Sequence, residues 1–436
     1  MSFSVPNGEV GSGLTVITGP NNAGKSSILE CLKARVGQRT PSFTVGKRNA
    51  AIDEVAISYT VNGNKETIKS VRMGASETSC QGIDPKFQVF VLPSRRAFNP
   101  YFSRGEQSRE QYLSSATLDA QRSSVLSNFE YRLFTVLKDP TAFNEILSEA
   151  LALKPEWSLD QSDEGRYFLK FFSANGSHSS DGMGEGIVSV FVIVDSLYDS
   201  KPGDMVVIDE PELSLHPALQ KRVAKLLCRF AKDRQIVIST HSPYFVDLTA
   251  LSNGGHLARV STGAEGTEIH EITVEAKTSI QLLSEGNLYN PHVFGLDARE
   301  LFFQEDQIIL TEGQEDVLLF PRVAEQVQAE ISGNFFGWGA GGASNIYHLC
   351  RILKDLGYKK VAGLYDGDKV DEKDRTATAF PGFYFACIPA RDIRTKQARK
   401  ATEVIDGLLD EKLRLRVDYM EQLRELFGAL SKHMKS

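Results

Sequence analysis

Short apolar runs, several of them ending at a Gly-rich or acidic turn, recur along the chain. The run at 14–18 (LTVIT) ends at a Gly/Asn-rich loop, and a helix is predicted over about 26–34. The runs at 205–208 and 235–238 do not alternate between apolar and polar residues, which is typical of strands covered on both faces of a sheet. Just before them, 188–194 predicts the face of a buried helix.

Other sequence patterns predict further elements before residue 308. Apolar residues alternate with period two over 55–71 around the turn Asn62-Gly63-Asn64, which predicts a β-hairpin. Residues 87–92 predict another strand. The stretch from about 95 to 170 is polar with helical texture, and 261–306 is mixed, which indicates a connector.

A second series of strands and helices begins at Ile308. Strands are predicted at 308–310, 335–336, 361–364 and 383–388, with a helix at about 344–356. This alternation indicates a parallel α/β domain. The last thirty residues predict a helix with one apolar face, formed by Leu413, Val417, Met420, Leu423, Phe427 and Leu430.

Composition limits the class of protein. A chain of 436 residues with 41% apolar and 24% charged residues is expected to form two or three globular domains. No apolar run has the length of a membrane span and the N-terminus carries no secretion pattern, so the cytoplasm is the expected location. The net charge of −7 argues against a general basic coat for nucleic acid, although a local basic groove is compatible with it. The five dispersed cysteines disfavour a structural zinc site.

Residues 19–26 (GPNNAGKS) match the phosphate-binding pattern G-x-x-x-x-G-K-[ST], between a predicted strand and a predicted helix. Loop amides and a helix N-terminus favour phosphate oxygens, Lys25 reaches the β- and γ-phosphates, and Ser26 offers a hydroxyl to Mg²⁺. A Gly-rich turn that happens to precede a lysine is the simpler alternative. The predicted ATP-binding positions are Gly19, Asn21, Asn22, Gly24, Lys25, Ser26 and Ser27.

Two acids at the end of the 205–208 strand complement this loop. Asp209 is placed to hold Mg²⁺, and Glu210 to orient or deprotonate the attacking water. Acids in the first turn of a helix, followed by Pro211, are the alternative interpretation. The presence of the phosphate loop favours the interpretation as an ATP site.

The segments 209–217 (DEPELSLHP) and 240–243 (THSP) resemble ATP-binding-cassette ATPase heads, in the branch that holds the overcoming-lysogenization-defect (OLD) nucleases. The resemblance implies that Glu210 is the hydrolytic base and that His241 senses the γ-phosphate. The segment 180–186 (SDGMGEG) occupies the place of the signature loop, with Ser180 and Gly182 toward a nucleotide, but Asp181 interrupts the usual Ser-Gly-Gly core. A flexible loop is the competing interpretation.

A signature loop acts on the nucleotide of a second head, so this resemblance implies a homodimer or higher homo-oligomer. Only about 80 residues, 95–175, separate the two halves of the head, and as paired helices they reach at most about 60 Å. That length excludes a long-armed chromosome-tethering ATPase and predicts a short helical lobe.

A second group of acids follows the later strands. Glu312 comes directly after 308–310, Asp316 opens the next helix, and Asp366 and Asp368 follow 361–365. Because the carboxyl ends of parallel strands share one edge of a sheet, these carboxylates are expected to converge. Oxygen ligands suit Mg²⁺ or Mn²⁺, which activate water for phosphodiester cleavage. Each motif alone is compatible with an exposed turn.

The order of these acids resembles a Toprim domain, the fold shared by topoisomerases, bacterial primases and OLD nucleases. The resemblance implies that Glu312 is a metal ligand or general base, that Asp366 and Asp368 are the metal pair, and that Asp316 is an accessory ligand. OLD nucleases carry a late Asp-Ile-Glu element followed by a lysine, whereas this chain has Asp-Ile-Arg at 392–394. Lys396 remains a candidate to stabilise the leaving phosphate.

A basic cluster surrounds that element: Arg391, Arg394, Lys396, Arg399 and Lys400. It predicts either a solvated helix face or a rim that tracks phosphates beside the metal site. Few aromatic residues interleave with it, so base stacking is not indicated.

The predicted fold class is α/β: an ABC-type P-loop ATPase head over 1–270 with mixed sheet and helical lobe, a connector over 271–304, a Rossmann-like Toprim domain over 305–400, and a C-terminal helix over 401–436. The predicted function is an ATP-hydrolysing DNA endonuclease that uses Mg²⁺ or Mn²⁺. Short relatives of this type suggest an antiphage effector, with a defence-system protein or a reverse transcriptase and its RNA/DNA as candidate partners. The alternative is an ATPase sensor or scaffold whose Toprim domain binds nucleic acid or a partner without cutting. A primase or topoisomerase is disfavoured, because no zinc module or tyrosine-bearing cleavage domain is evident.

Overall fold

The computed structural model describes residues 1–34, 40–44, 47–48, 51–82, 88–94, 96, 101–114, 129–173, 176–179, 184–264, 266–283, 303, 306–397 and 404–435, and every structural statement concerns these residues. Packing divides the chain into two units, Met1–Leu257 and Ala258–Ser436.

The first unit combines one parallel sheet, two small antiparallel sheets and several helices. Its strands are β1 (Leu14–Thr18), β2 (Ala56–Val61), β3 (Asn64–Ser70), β4 (Thr78–Gly82), β5 (Val89–Leu92), β6 (Glu156–Gln161), β7 (Tyr167–Ser173), β8 (Gly176–Ser179), β9 (Met205–Asp209) and β10 (Gln235–Ser239). Its helices are α1 (Lys25–Lys33), α2 (Arg109–Ser114), α3 (Phe129–Val136), α4 (Thr141–Leu151), α5 (Glu185–Asp199), α6 (Pro217–Phe230) and α7 (Leu248–Ser252).

The parallel strands run in the order β1-β10-β9-β5. Their apolar side chains are almost fully buried, as the lack of alternation predicted. Helix α5 is buried from Val188 to Leu197, which confirms the predicted core helix. In register, Ser239 lies opposite Asp209, so the chemically active turns after these strands leave the sheet at one edge.

The predicted hairpin at 55–71 is confirmed as β2 and β3, and β4 adds a third strand. The expected helical lobe over 95–175 is only partly helical. Helices α2, α3 and α4 are followed by the antiparallel strands β6, β7 and β8. Trp157 and Phe171 project from this sheet to contact Phe191 of α5, so burial of aromatic side chains favours strand over helix there.

The second unit contains a four-stranded parallel sheet with helices around it. Its strands are β11 (His256–Gly263, which begins two residues before the division), β12 (Gly266–Glu271), β13 (Ile308–Leu310), β14 (Asn334–Phe335), β15 (Val361–Tyr365), β16 (Tyr384–Cys387), β17 (Asp392–Arg394), β18 (Lys396–Gln397), β19 (Val404–Ile405) and β20 (Gly407–Leu409). Its helices are α8 (Val274–Leu283), α9 (Gln314–Gln326), α10 (Ala343–Asp355), α11 (Val370–Ala379) and α12 (Met420–Lys435).

The sheet order β14-β13-β15-β16 is parallel throughout, as the alternation of strands and helices predicted. Phe320 of α9 and Phe427 of α12 meet edge-to-face in the core of this unit. The predicted C-terminal helix starts later than expected, at Met420. Leu413 has φ 58°, and Val417 is 79% exposed, so neither belongs to its apolar face.

The predicted connector over 271–304 contains the helix α8 and otherwise falls largely outside the described residues. Ahead of it, β11 and β12 pair as a hairpin at 256–271. Within the part of the chain that the structure describes, no helix has both the length and the hydropathy of a membrane span.

Candidate functional site

The phosphate loop leaves β1 through backbone conformations that suit glycine. Gly19 has φ 138°, Asn22 has φ 62°, and Gly24 has φ 103° where it caps α1. Lys25 is buried at the start of the helix, and its Nζ donates to the carbonyls of Gly19 (2.9 Å) and Pro20 (3.0 Å). Burial lowers the pKa of Lys25, and the nearby acids oppose that shift.

The serine at the start of α1 faces the acid at the end of β9. Ser26 Oγ donates to Asp209 Oδ2 at 3.2 Å, and Ser239 Oγ donates to Asp209 Oδ1. A hydroxyl and a carboxylate brought together beside a phosphate loop are a donor set suited to the Mg²⁺ of a nucleotide. The structure therefore brings together the two residues predicted to hold this ion.

Glu210 adopts an unusual backbone conformation for a residue with a side chain, with φ 47°. Its backbone N–H donates to the Ser239 carbonyl at 2.9 Å. Its carboxylate lies 3.9 Å from His241 Nε2. The predicted base and the predicted γ-phosphate sensor are thus neighbours. Burial, then the charge of Lys25, lowers the pKa of His241, which favours the neutral imidazole.

Glu212 is a site residue that sequence reasoning missed. Its carboxylate accepts from the His241 backbone N–H at 2.6 Å and from Thr240 Oγ1 at 2.8 Å. Burial raises its pKa. It therefore holds the loop that carries His241, and its place in the acidic run 209–212 was the available signal.

Of the remaining residues predicted to bind the nucleotide, two lie in the described part of the chain and two do not. Asn21 and Ser27 are exposed on the loop and in the first turn of α1, and the Ser27 N–H donates to the Gly24 carbonyl at 3.1 Å. Ser180 and Gly182, the predicted signature positions, lie outside the described residues.

In the second unit, the acids after β13 and β15 meet. Glu312 Oε1 accepts from the Asp366 backbone N–H at 2.9 Å, so the two strand ends carry their carboxylates to one place. Gly367 lies between Asp366 and Asp368, and a Cβ there would stand 2.4 Å from the Ala390 carbonyl oxygen. Its own N–H donates to that oxygen at 2.8 Å, which ties the acidic turn to the chain entering β17.

These acids share one electrostatic environment. Burial, reinforced by neighbouring acids, raises the pKa of Asp366 to about 8 and that of Glu312 to about 7. The same causes raise the pKa of Asp316 to about 6, although its carboxylate accepts from the Gly313 N–H at 2.8 Å. Asp368 is exposed, lies 3.3 Å from Lys369 Nζ, and acts electrostatically on both Glu312 and Asp366.

The basic residues beside the acids are ion-paired. Lys396 Nζ lies 2.6 Å from Asp392 and 3.4 Å from Glu315, and Arg394 lies 2.5 Å from Glu315. Arg394 and Lys396 lie on short strands, so the solvated-helix interpretation is wrong for them. Arg399 and Lys400 lie outside the described residues. The pairing of Glu315 with these cations was missed because Glu315 is about 80 residues away in sequence, whereas Asp392 lies only four residues from Lys396.

The donor set of the second unit fits a divalent cation in its chemistry. Carboxylate oxygens are the ligands that Mg²⁺ and Mn²⁺ prefer, and a bound cation would offset the burial and mutual repulsion that raise the pKa of Glu312 and Asp366. Among the described residues, however, no group of three or more His, Cys, Asp or Glu side chains is arranged to hold a metal ion. Binding an ion therefore requires the carboxylates to turn toward one another.

Comparison with protein families agrees with this pairing of a phosphate loop and an acid cluster. The model described as "AAA domain, putative AbiEii toxin, Type IV TA system" matches residues 14–247, more than half of the chain. The model "Overcoming lysogenization defect protein-like, TOPRIM domain" matches residues 302–368. The chain is thus an AAA-type P-loop protein with an OLD-like Toprim domain. It belongs to the AAA family that the first model describes, and its likeness to OLD proteins rests on residues 302–368.

Individual relatives are distant. An OLD nuclease of Thermus scotoductus is 26% identical over 298 residues, which cover 54% of this chain and 56% of that protein. Endonuclease GajA of Bacillus cereus is 24% identical over 198 residues, which cover 44% of this chain and 31% of that protein. The chain thus matches about half or less of the length of these relatives.

Solved structures with a similar arrangement include an SMC head domain from Thermotoga maritima, at 14% identity and a TM-score of 0.36 over 62% of this chain and 92% of that one. Another is an Smc head domain with an extended coiled coil, derived from Pyrococcus furiosus and bound to the C-terminal domain of ScpA. It has 13% identity and a TM-score of 0.38, and the match covers 63% of this chain and 93% of that one.

Proposed function

We propose that this protein is an ATP-hydrolysing DNA endonuclease that depends on Mg²⁺ or Mn²⁺. The observation that carries the proposal is the meeting of Glu312 with Asp366 at the carboxyl ends of two adjacent parallel strands. The phosphate loop with its Ser26–Asp209 contact supports ATP binding in the other unit. Two relatives named as nucleases support phosphodiester cleavage as the reaction.

Each residue of the second site has a separate task in this proposal. Glu312, Asp366 and Asp368 hold the metal, with Asp316 as an accessory ligand. The metal supplies charge stabilisation and an activated water. Glu312 orients the Asp366 turn through its contact with the backbone, and Lys396 offers positive charge to the leaving phosphate once it is released from Asp392 and Glu315.

The test measures nicking and linearisation of supercoiled plasmid by the purified chain with Mg²⁺ or Mn²⁺, with and without ATP. Glu312→Gln and Asp366→Asn keep side-chain size and remove charge, and each is expected to slow cutting by about 100-fold or more. Asp371→Asn removes an exposed charge from the start of α11 and serves as the matched control with cutting unchanged. Undiminished cutting by both site variants contradicts the nuclease assignment.

A second candidate function is a nucleic-acid or partner platform without cleavage. Arg394 stands where OLD nucleases tend to carry an acid, and the described carboxylates are not arranged as a ready metal site. In that case no DNA or RNA is cut with any divalent metal, while ATP turnover persists and Glu312→Gln leaves nucleic-acid affinity unchanged.

We also propose an assembly and a setting for this activity: a homodimer of the cytoplasm that acts on phage DNA, together with a defence-system protein or a reverse transcriptase and its RNA/DNA. The resemblance to cassette heads supports ATP-dependent dimerisation. Glu210→Gln, which preserves ATP binding and blocks hydrolysis, is expected to double the mass seen by light scattering when ATP is added. A mass unchanged by ATP contradicts the dimer.

A further inference from the structure

Arg96 lies behind the turn that carries the two acids of the ATP site. Its Nη1 donates to the Asp209 carbonyl at 2.8 Å, and its Nη2 donates to the Glu210 carbonyl at 2.9 Å. Its exposed fraction is only 5%, so the guanidinium is part of the interior rather than a surface group. The planar guanidinium therefore donates hydrogen bonds to two consecutive backbone carbonyls of this turn.

The same guanidinium reaches two other elements. Its Nε donates to Ser189 Oγ at 2.8 Å, on helix α5. Its Nη1 also donates to the Pro93 carbonyl at 2.7 Å, directly after β5. Arg96 thus joins the end of β5, the helix α5 and the turn after β9 through a single side chain.

Burying this charge is costly. Its acceptors among the described residues are three carbonyls and one hydroxyl, all neutral. Burial lowers the pKa of Arg96 to about 10, while the charges of Glu212, Asp209 and Glu210 oppose the shift. Neutral acceptors do not offset the full cost of desolvating a guanidinium, which favours a role for Arg96 beyond packing.

The turn itself needs to be held. The left-handed backbone at Glu210 (φ 47°) is strained for a residue with a Cβ. The Ser239 carbonyl accepts the Glu210 N–H on one side, and Arg96 donates to the Glu210 carbonyl on the other. Both backbone polar groups of Glu210 are therefore held, which fixes the direction in which its side chain leaves the backbone.

Helix α5 contacts the segment after Glu210 at a second point. Ser214 Oγ donates to Glu185 Oε2 at 2.8 Å, and a Cβ on Gly186 would lie 2.6 Å from the Ser214 carbonyl oxygen. The first turns of α5 therefore touch residues 209–214 from two sides, directly and through Arg96. A displacement of these first turns therefore affects the Glu210 turn, whereas Asp195 and Asp199 lie toward the other end of the helix.

We propose that Arg96 is the positioning residue of ATP hydrolysis in this chain, holding the Glu210 turn and coupling it through Ser189 to helix α5. This inference rests on the proposed ATPase activity. Arg96 does not touch the nucleotide phosphates in this role. It acts by keeping the Glu210 carboxylate in a position from which it can contact the attacking water.

The test uses the full chain with Arg96→Lys and Arg96→Ala. ATP turnover gives kcat and KM, and titration with a fluorescent ATP analogue and Mg²⁺ gives nucleotide affinity. A positioning role predicts kcat lower by about 100-fold, the cost of a misplacement near 1 Å, with nucleotide affinity unchanged. Added guanidinium ion restores part of the turnover of Arg96→Ala and leaves the wild type unaffected.

Two further variants separate positioning from folding. Arg109→Lys alters another buried arginine that anchors α5, through Asp195 (2.5 Å) and Asp199 (2.7 Å), and is expected to lower the melting temperature without lowering kcat. Ser189→Ala removes one of the contacts of Arg96 and is expected to lower kcat by less than Arg96→Lys. If the Arg96 variants do not fold, Ser189→Ala carries the test alone.

Specific outcomes overturn the inference. Arg96→Lys with wild-type kcat, or a loss of nucleotide affinity that matches the loss of turnover, shows that Arg96 has no positioning role. A wild-type chain that binds ATP without hydrolysing it contradicts the proposed ATPase function instead, and the inference falls with it.

Discussion

Gly367 shows how one residue controls the candidate nuclease site. It separates Asp366 from Asp368, and its Cα lies so close to the Ala390 carbonyl that an added methyl would stand 2.4 Å from that oxygen. A side chain there has to push the acidic turn away from the segment that leads to Asp392. The glycine is thus required for space between two packed backbones rather than for a left-handed conformation.

Gly367→Ala is therefore expected to abolish metal-dependent DNA cleavage while ATP turnover stays at the wild-type level. The measurement is plasmid cutting alongside ATP hydrolysis by the same preparation. Gly382→Ala is the matched control, because a Cβ at that position meets nothing within 4 Å. Equal cutting by the two variants would show that the Gly367 contact does not constrain the acids.

Glu315 compensates two cations that the sequence suggested for phosphate binding. Arg394 and Lys396 both lie within ion-pair distance of it. Glu315→Gln is expected to strengthen DNA binding and to steepen the dependence of log Kd on log salt by about 1–2, because up to two cations become available to phosphates. Fluorescence anisotropy over a salt series measures both quantities.

Glu330→Gln is the control for this prediction. Glu330 is an exposed acid that pairs with Lys435 at 3.5 Å, away from the acid cluster. The Glu330→Gln variant is expected to show the same dependence of log Kd on log salt as the wild type. A Glu315→Gln slope equal to the wild type would mean that Arg394 and Lys396 do not reach phosphates.

At this scale, some site residues were visible in the sequence and others were not. The phosphate loop and Asp366-Gly367-Asp368 were recognisable because spacing of a few residues reports a local backbone shape. Arg96 and Glu212 were missed because their partners are separated from them by up to 114 residues, and only the folded chain brings them together. Pairing of Glu315 with Arg394 was missed for the same reason.

Among the elements, helix α12 ties the C-terminal end of the chain to the core of the second unit. Leu423, Phe427 and Leu430 are fully buried, and Phe427 packs edge-to-face on Phe320 of α9. The helix therefore contributes to the stability of the sheet that carries the acids.

Phe427→Ala is expected to lower the free energy of unfolding of this unit by about 3–5 kcal/mol, because it leaves a cavity against Phe320. Urea denaturation followed by circular dichroism measures the change. Val417→Ala, at an exposed position before the helix, should change it by less than about 0.5 kcal/mol. A similar loss for both variants would place Val417 inside the packed face.

At two places the structure differs from the element that the sequence pattern predicted. The spacing of Leu413 and Val417 continues the apolar pattern of α12, yet the helix starts at Met420. The preceding residues pair as β20 with β17, and a Cβ on Gly407 would lie 2.0 Å from the Arg394 backbone. Similarly, 156–173 forms strands because aromatic contacts with α5 outweigh its local helical texture.

Over the whole molecule, the described residues of each candidate site lie within one unit. The phosphate loop, Asp209, Glu210 and His241 lie in Met1–Leu257, whereas Glu312 through Lys396 lie in Ala258–Ser436. Substitutions can therefore be made in the candidate ATP site and in the candidate nuclease site separately. The alternation of strands and helices predicted the parallel sheet of the second unit, and the unpatterned apolar runs at 205–208 and 235–238 predicted covered strands in the first.

Metal ions are accordingly expected to stabilise the second unit without nucleotide. At a Mg²⁺ concentration 100 times its Kd, the free energy of unfolding should rise by about 2.7 kcal/mol. Thermal or urea denaturation of the full chain, with and without Mg²⁺, measures this gain. Asp366→Asn should lose the gain and Ser26→Ala should keep it. Loss in Ser26→Ala alone would assign the stabilising ion to the other unit.

Lys25, which bonds to the carbonyls of Gly19 and Pro20, makes ligand entry an exchange reaction. These carbonyls are neutral acceptors, and only a ligand that brings negatively charged oxygens offers the ammonium stronger ones. Adenosine, which carries no phosphate, gains nothing from this exchange. The loop therefore favours ligands by the charge of their phosphates, independently of the base.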